Sequence, residues 1–170
     1  MKIIIICGSP GTGKTTLANL LAKKGFKIIH LSEFVIKEHL YSDYDYERDS
    51  YIIDPKRLVK RILLIAHKES RPIVVEGIGA DLLPKKYVSL CIVLTCEPGE
   101  LERRLKEKKY PPEKIWENLE AERLNIILGE ALDKYGKKTL VIDTTNRSPE
   151  EVLEIILNKI FRNHEDDKDG

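Results

Sequence analysis

The sequence contains no glutamine and a single methionine, and its three cysteines, Cys7, Cys91 and Cys96, form no C-x-x-C pair. An odd number of thiols at these spacings gives no disulfide framework, and Cys7 and Cys91 lie in apolar, strand-like runs. They read as buried free thiols, which points to a reducing, cytoplasmic compartment. No apolar run approaches the length that spans a bilayer, and the first residues read as a strand rather than a secretion signal, so no membrane partner is expected. The formal net charge of +1 removes any global attraction to nucleic acid or lipid and leaves only local patches. No internal repeat or linker is visible. Charge itself is in excess, with 34% of residues charged against the usual quarter, mostly Lys and Glu. Together with the missing Gln and Met, this is the compositional bias of thermophile proteins.

A length of 170 residues suits one domain with a real core. Its organising stretch is Met1 to Thr16. Lys2 to Cys7 is short, apolar and β-branched, as in a strand buried on both faces. It ends at Gly8-Ser9-Pro10-Gly11-Thr12-Gly13-Lys14-Thr15, a full match to the phosphate-binding P-loop, and from Thr16 apolar residues recur at helical spacing. Strand, glycine loop and helix come in the order that the motif requires. Glycines let backbone N–H groups close on phosphate oxygens, and the helix N-terminus adds its dipole. Lys14 brings a charge that can follow the β- and γ-phosphates, and the Thr15 hydroxyl is placed for Mg²⁺. The sequence therefore reads as a nucleotide-binding protein.

Further along, Phe26 to His30 predicts a second strand, and Ser32 caps a helix from Glu33 to Leu40. Tyr41 to Tyr51, with four tyrosines among acids, shows no periodicity and reads as a loop. Asp54-Pro55 opens a helix from Lys56 to His67. Strands follow at Ile73–Glu76, Ser89–Thr95 and Thr139–Asp143. Between the last two come a charged helix over Pro98–Lys109 and, past Pro111-Pro112, a longer one from Glu113 to Tyr135. Ser148-Pro149 opens the final helix, and a polar tail, 163–170, reads as disordered. Strands alternating with helices predict an α/β domain over 1–162: a P-loop NTPase fold of the nucleoside-monophosphate-kinase kind, a five-stranded parallel sheet with helices on both faces. Ligands in such sheets sit at the carboxyl ends of the strands, which places Glu33, Glu76 and Asp143-Thr144 beside the P-loop.

Two insertions interrupt this pattern. Residues 32–53 lie where small phosphoryl-transfer kinases carry a flap for the acceptor, and 98–112, with Arg103, Arg104, Lys106, Lys108 and Lys109, where they carry a closing lid. A basic helix between prolines can bring positive charge to a transferring phosphoryl group and exclude water. The same charges equally suit a solvated face with i,i+4 pairs such as Glu100–Arg104 and Glu102–Lys106. Arg123 either reaches the phosphates or forms a surface ion pair. Arg147 either stacks on an adenine ring or serves the turn before the final helix.

The P-loop, the block Leu40-Tyr41-Ser42-Asp43-Tyr44-Asp45, the Ile53-Asp54 pair, the turn Gly79-Ala80-Asp81-Leu82-Leu83-Pro84 and Arg104-Leu105 through Tyr110 occur in this order. From about Lys2 to Phe161 the chain resembles the atypical adenylate kinase isoenzyme six family of archaea and eukaryotes, which is linked to small-ribosomal-subunit maturation. The resemblance implies ATP and Mg²⁺ as cofactors and AMP as acceptor. It implies ATP contacts at Gly11, Gly13, Lys14, Thr15 and Thr16, a lid contact at Lys108 where the family usually has Arg, and Arg147 at its adenine-loop Lys. The family's Asp-x-His after the third strand reads Glu76-Gly77-Ile78 here, which keeps a carboxylate for the metal and loses the His associated with water activation.

The expected activity is ATP + AMP to two ADP. Lys14, Arg104 and Lys108 act as catalytic cations, and Thr15 and Glu76 serve the metal. The AMP phosphate is already an anionic nucleophile, so catalysis needs positioning and electrostatics rather than a base. The resemblance also implies Mg-dependent ATPase activity and two macromolecular partners, the universal small-subunit ribosomal protein eleven and pre-ribosomal RNA. The acidic, tyrosine-rich 41–51 stretch is a docking surface for the former or packs in the acceptor site. An ATPase assembly factor with little AMP kinase activity and a kinase of another small metabolite remain alternatives.

Overall fold

Ile3–Cys7 (β1), with every side chain buried, forms the central strand of a five-stranded sheet. The computed structural model describes residues 3–166 and 168. Lys2 at the predicted start of the first strand, and Asp167, Asp169 and Gly170 of the predicted tail, lie outside the described residues. The other strands are Lys27–His30 (β2), Ile73–Glu76 (β5), Val88–Thr95 (β6) and Thr139–Asp143 (β7). They are all parallel, in the order β2-β5-β1-β6-β7. The α/β P-loop fold expected from the alternating pattern is present.

Side chains alternate across the sheet, so one strand feeds two cores. Ile3, Ile5 and Cys7 face Leu58, Ile62 and Ala66 of Pro55–Lys68 (α3) and Ala131 and Tyr135 of Ile126–Tyr135 (α6). Ile4 and Ile6 face Leu17 and Leu21 of Lys14–Ala22 (α1) and Val152 and Ile156 of Pro149–Asp166 (α7). Coverage on both faces explains why the strands read as unbroken apolar runs. The three cysteines are free and buried. A hydrogen bond to Cys91, together with burial, pushes the Cys7 thiol far up, so it stays a neutral core group. No helix among the described residues is long and apolar enough to cross a membrane.

Five expectations change. The helix after β2 is Leu31–Lys37 (α2), with His30 rather than Ser32 at its N-cap, so Ser32 lies inside its first turn. Tyr41–Asp45 (β3) and Ser50–Ile53 (β4) form an antiparallel hairpin where the sequence predicts a loop. A register shift between Tyr41 and Asp43 breaks the period-2 pattern and lets Tyr41, tilted, and Tyr44, edge-on, both contact Tyr51, with ring centres 4.5 and 5.0 Å away. Asp45 Oδ1 accepts from the Glu47 and Arg48 N–H groups, each at 3.1 Å, and makes the turn.

The predicted long helix is two, Pro112–Arg123 (α5) and α6, broken where Asn125 takes a left-handed φ of 51°. Asn tolerates that conformation, and the turn brings Ala131 and Tyr135 onto the sheet. The charged helix, Pro98–Glu107 (α4), ends two residues before Lys109, which has φ 59°. The last helix continues through Asn163–Asp166, where the sequence reads as disordered.

The Gly79–Pro84 turn anchors the hairpin. A Cβ on Gly79, at φ 101°, would lie 2.7 Å from Ile53 Cδ1. The turn is held from below by fully buried Tyr135, whose hydroxyl donates to Leu83 O at 2.6 Å.

Candidate functional site

The site grows from the end of β1. Gly8 has φ 151°, and a Cβ there would sit 2.6 Å from Leu94 O, so the loop closes on β6 only with glycine. A Cβ on Gly11 would press within 3.2 Å of Leu101 and Leu105 of α4. Gly13, at φ 103°, caps α1 with open space around it. Inside the loop, Thr12 Oγ1 donates to Ser9 O at 2.7 Å, and Lys14 Nζ donates to Gly8 O at 2.7 Å and Ser9 O at 3.1 Å. Burial lowers the Lys14 ammonium to about 8, against the opposing pull of Glu76, while Lys108 adds to the lowering.

Glu76 ends β5 and is only 4% exposed. It pairs in register with His30 at the end of β2, so their side chains leave the sheet at one level. His30 Nδ1 lies 2.7 Å from Glu76 Oε1, and Thr15 Oγ1 donates to the same oxygen at 3.4 Å. A buried carboxylate beside an ammonium and a hydroxyl suits a hard cation held mainly by phosphate oxygens and water. The described residues hold no cluster of three or more His, Cys, Asp or Glu that would make a self-sufficient metal cage. Thr15 and Glu76 therefore fit Mg²⁺ as part of a nucleotide complex.

The helices after β6 pack on the loop. Leu101 and Leu105 are fully buried with Cys96, Ile115 and Leu119 in a small third core. Two polar contacts reinforce it. Arg104 donates to Gly11 O at 3.2 Å and to Thr144 O at 2.8 Å. Glu122 of α5 accepts from Ser9 Oγ at 2.7 Å and from Cys96 N at 3.0 Å. The remaining cations divide sharply. Arg103 pairs with Glu100 and Glu107, Lys106 with Glu102, and Arg123 with Glu120, all on the outer surface. Arg103 and Arg104 together hold Glu100 down to about 2. Lys108, at the end of α4, lines the cleft with Lys14.

Two depressions meet at the start of α1. A cleft of about 630 Å³ is lined by Gly11, Gly13, Lys14, Thr15, Thr16, Glu76 and Lys108, and on its far wall by Ser32, Arg48 and Tyr51. A smaller one of about 120 Å³ lies between Thr12, Gly13, Thr16, Arg104, Thr144 and Arg147. A further cavity of about 730 Å³, lined by Ile4, Phe26, Leu90 and Leu157 with Lys24 and Asp166, lies away from the P-loop.

Every residue expected to act on the nucleotide or the metal thus lies at one of the two depressions that share Gly13 and Thr16, whereas Glu33 and Asp143, expected beside the P-loop, line neither. Arg104 is on the small one, tied to backbone oxygens rather than facing the large cleft. Arg147 donates to Asp143 O at 3.0 Å and borders the small one. Sequence reasoning missed His30 and Glu122; it placed Thr144 beside the P-loop, and it read Arg48 and Tyr51 only as part of the 32–53 flap. His30 had a signal, since strands of equal length in register place His30 opposite Glu76. Glu122 had none, because its contact with Ser9 depends on how α5 folds back.

The match to a family described as an AAA domain covers residues 4–125. A protein of Methanocaldococcus jannaschii named "Putative adenylate kinase" is 39% identical over 92% of this chain and 85% of its own length. One of the same name from Sulfurisphaera tokodaii is 40% identical over 92% of this chain and 81% of its own. Among solved structures, thymidylate kinase from Candida albicans superposes with a TM-score of 0.65 at 16% identity, covering 95% of this chain and 92% of that one. Deoxyadenosine kinase from M. mycoides gives 0.60 at 18% identity, covering 95% of this chain and all of the other. The latter two show a shared kinase fold, and the former two decide the family. The chain belongs to the adenylate-kinase-like P-loop family of archaea.

Proposed function

We propose that the protein is a cytoplasmic adenylate kinase of the isoenzyme six type, transferring the γ-phosphoryl group of ATP to AMP and also hydrolysing ATP slowly. The observation that carries this reading is the pair of depressions sharing Gly13 and Thr16 at the N-terminus of α1. Two nucleotides seated there meet with their phosphates at one helix terminus and one buried Lys. The small depression takes the base and ribose of ATP, with Arg147 at its rim for stacking. The acceptor lies in the large cleft, where Arg48 reaches its phosphate and Tyr51 and Ser32 border its nucleoside.

An AMP phosphate oxygen attacks the γ-phosphorus in line, and ADP leaves. Gly11, Gly13, Thr15 and Thr16 present N–H groups to the phosphates of ATP. Lys14 and Lys108 bring positive charge to the transferred group, and Arg104 acts through the Gly11 carbonyl and Thr144, holding both nucleotide-facing loops together. Bound Mg²⁺ supplies charge neutralisation on the β- and γ-oxygens. Thr15 and, through water, Glu76 would hold it.

A second reading is supported by the hairpin. Its strands contain no buried residue, and Tyr46 is 86% exposed among Asp43, Asp45, Glu47 and Asp49. An acidic, aromatic ribbon suits a basic partner, the universal small-subunit ribosomal protein eleven, with pre-ribosomal RNA beyond it.

Product analysis with ATP, Mg²⁺ and a panel of nucleoside monophosphates tests the first reading. ADP formed from AMP in preference to GMP, CMP and UMP is expected. Hydrolysis without transfer to any acceptor would overturn it in favour of the assembly ATPase.

A further inference from the structure

We propose that His30 is a positioning residue for the metal, acting through Glu76 on Thr15. The proposal rests on the Mg–nucleotide reading given above and adds a residue that is neither in the P-loop nor next to it in sequence.

The geometry is a chain of three side chains from three elements. Glu76 as a carboxylate can only accept, so a contact of 2.7 Å requires the hydrogen on His30 Nδ1. The same oxygen accepts the Thr15 hydroxyl at 3.4 Å. That hydroxyl has one hydrogen. While it points at Glu76, the lone pairs of Thr15 Oγ1 point away, into the cleft that both residues line. His30 fixes Oε1, Oε1 fixes the hydroxyl rotor, and the rotor presents an oxygen to a cation. This is how outer groups usually hold metal ligands, by orienting them rather than by touching the ion.

Burial makes the arrangement exclusive. The Glu76 side chain is 6% exposed and that of His30 27%, so water cannot freely replace the imidazole. Backbone register reinforces it, because His30 and Glu76 are paired neighbours on adjacent parallel strands. Without the ring, the carboxylate keeps only the long contact to Thr15 and is free to turn. Both Thr15 and the other carboxylate oxygen then lose their set direction. The imidazole need only donate one hydrogen bond, so an uncharged donor at the Nδ1 position suffices.

The test measures Mn²⁺ binding, by electron paramagnetic resonance, to the full-length protein loaded with a non-hydrolysable ATP analogue. His30→Ala should weaken Mn²⁺ by ~10–100-fold, the usual effect of removing a partner of a metal ligand. His30→Asn, whose amide nitrogen overlays Nδ1, should stay within about threefold of the parent. Binding of the analogue in EDTA should be unchanged in both. His30→Ser, too short to reach Glu76, carries the same expectation as Ala should that variant not fold. Mn²⁺ affinity unaltered by Ala or Ser, or lost equally with Asn, would overturn the role of His30. Absence of Mn²⁺ binding to the parent complex would instead overturn the Mg–nucleotide reading beneath it.

Discussion

The two insertions, 32–53 and 98–112, look alike in the sequence: charged, interrupted by turn residues and placed beside the P-loop. In the fold they are opposites. The second is packed under the loop, with Leu101 and Leu105 fully buried in a core shared with Ile115 and Leu119 of α5 and with Arg104 anchored on Gly11 O, to which α5 adds Glu122 on Ser9 Oγ. The first ends in a hairpin with no fully buried residue, joined to the core at its base by half-buried Tyr41 and Ile53 and held beyond them by clustered tyrosines and one Asp45 turn. Free energy of opening follows buried apolar contact, so the hairpin beyond Tyr41 and Ile53 should open at lower cost than α4. The helix α4 is scaffold, and its exposed tip is only Lys108 and Lys109, the latter at φ 59°, before Tyr110 packs back on the same core.

The largest expected effect fixes the point from which both regions are measured. Lys14→Ala should lower turnover by on the order of a thousandfold, because the transferring group loses its buried cation. Circular dichroism should show the same helix and sheet, since Lys14 contacts only loop carbonyls. A folded variant keeping a tenth of the parent rate would remove the shared centre of the comparison.

Next comes the scaffold. Leu105→Ala empties a fully buried position between α4 and the P-loop and should cost roughly 2–5 kcal/mol in denaturant unfolding. Since Leu105 also limits the space at Gly11, ATP affinity should fall with it. A loss under about 1 kcal/mol would mean that α4 is as loosely held as the hairpin, and the contrast would collapse.

The tip of α4 separates cations that the sequence leaves equivalent. Lys108→Ala should reduce kcat by ~10–100-fold, the range for one charge-assisted contact to the transferred group. Arg103→Ala should stay within about twofold, because its guanidinium already pairs with Glu100 and Glu107 on the outer face. Equal effects at both would restore the picture of a whole helix closing on phosphate.

What was legible in the sequence was local. Strand, glycine loop and helix from Ile3 to Ala22, and the Asp54-Pro55 start of α3, are each specified by residues within a few positions of one another. The hairpin was not, because the register shift after Tyr41 hides its alternation and leaves only Asp45 as a turn signal. The break at Asn125 was hidden too, since one left-handed residue ends α5 inside an otherwise continuous helical pattern. Within the site, residue types were legible but not their partners. Arg103 and Arg104 are neighbours in sequence, and helical geometry sends one to a surface carboxylate and the other to the P-loop. The links His30–Glu76 and Ser9–Glu122 span strands and helices distant in sequence, so only the register of the sheet and the fold of α5 reveal them.

The smallest expected effect concerns the hairpin. Asp45 Oδ1 accepts from the backbone N–H groups of Glu47 and Arg48, and the carboxylate lies 4.0 Å from the Arg48 guanidinium. It therefore shapes the turn from which Arg48 reaches the large cleft. Asp45→Ala removes those bonds at an exposed turn, so global stability should change by no more than ~1 kcal/mol. The site should register the change more clearly than the melting curve does. With the turn loosened, Arg48 must be ordered on acceptor binding, which should raise the KM for AMP by about three- to tenfold while leaving the KM for ATP and the turnover at saturation unaltered. Steady-state kinetics with each nucleotide varied in turn, alongside a thermal melt, reads all three quantities. A drop in Tm comparable to that of Leu105→Ala would show the hairpin to be part of the cooperative core. A rise in the KM for ATP instead of AMP would put the hairpin over the donor, and the assignment of the two depressions would have to be exchanged.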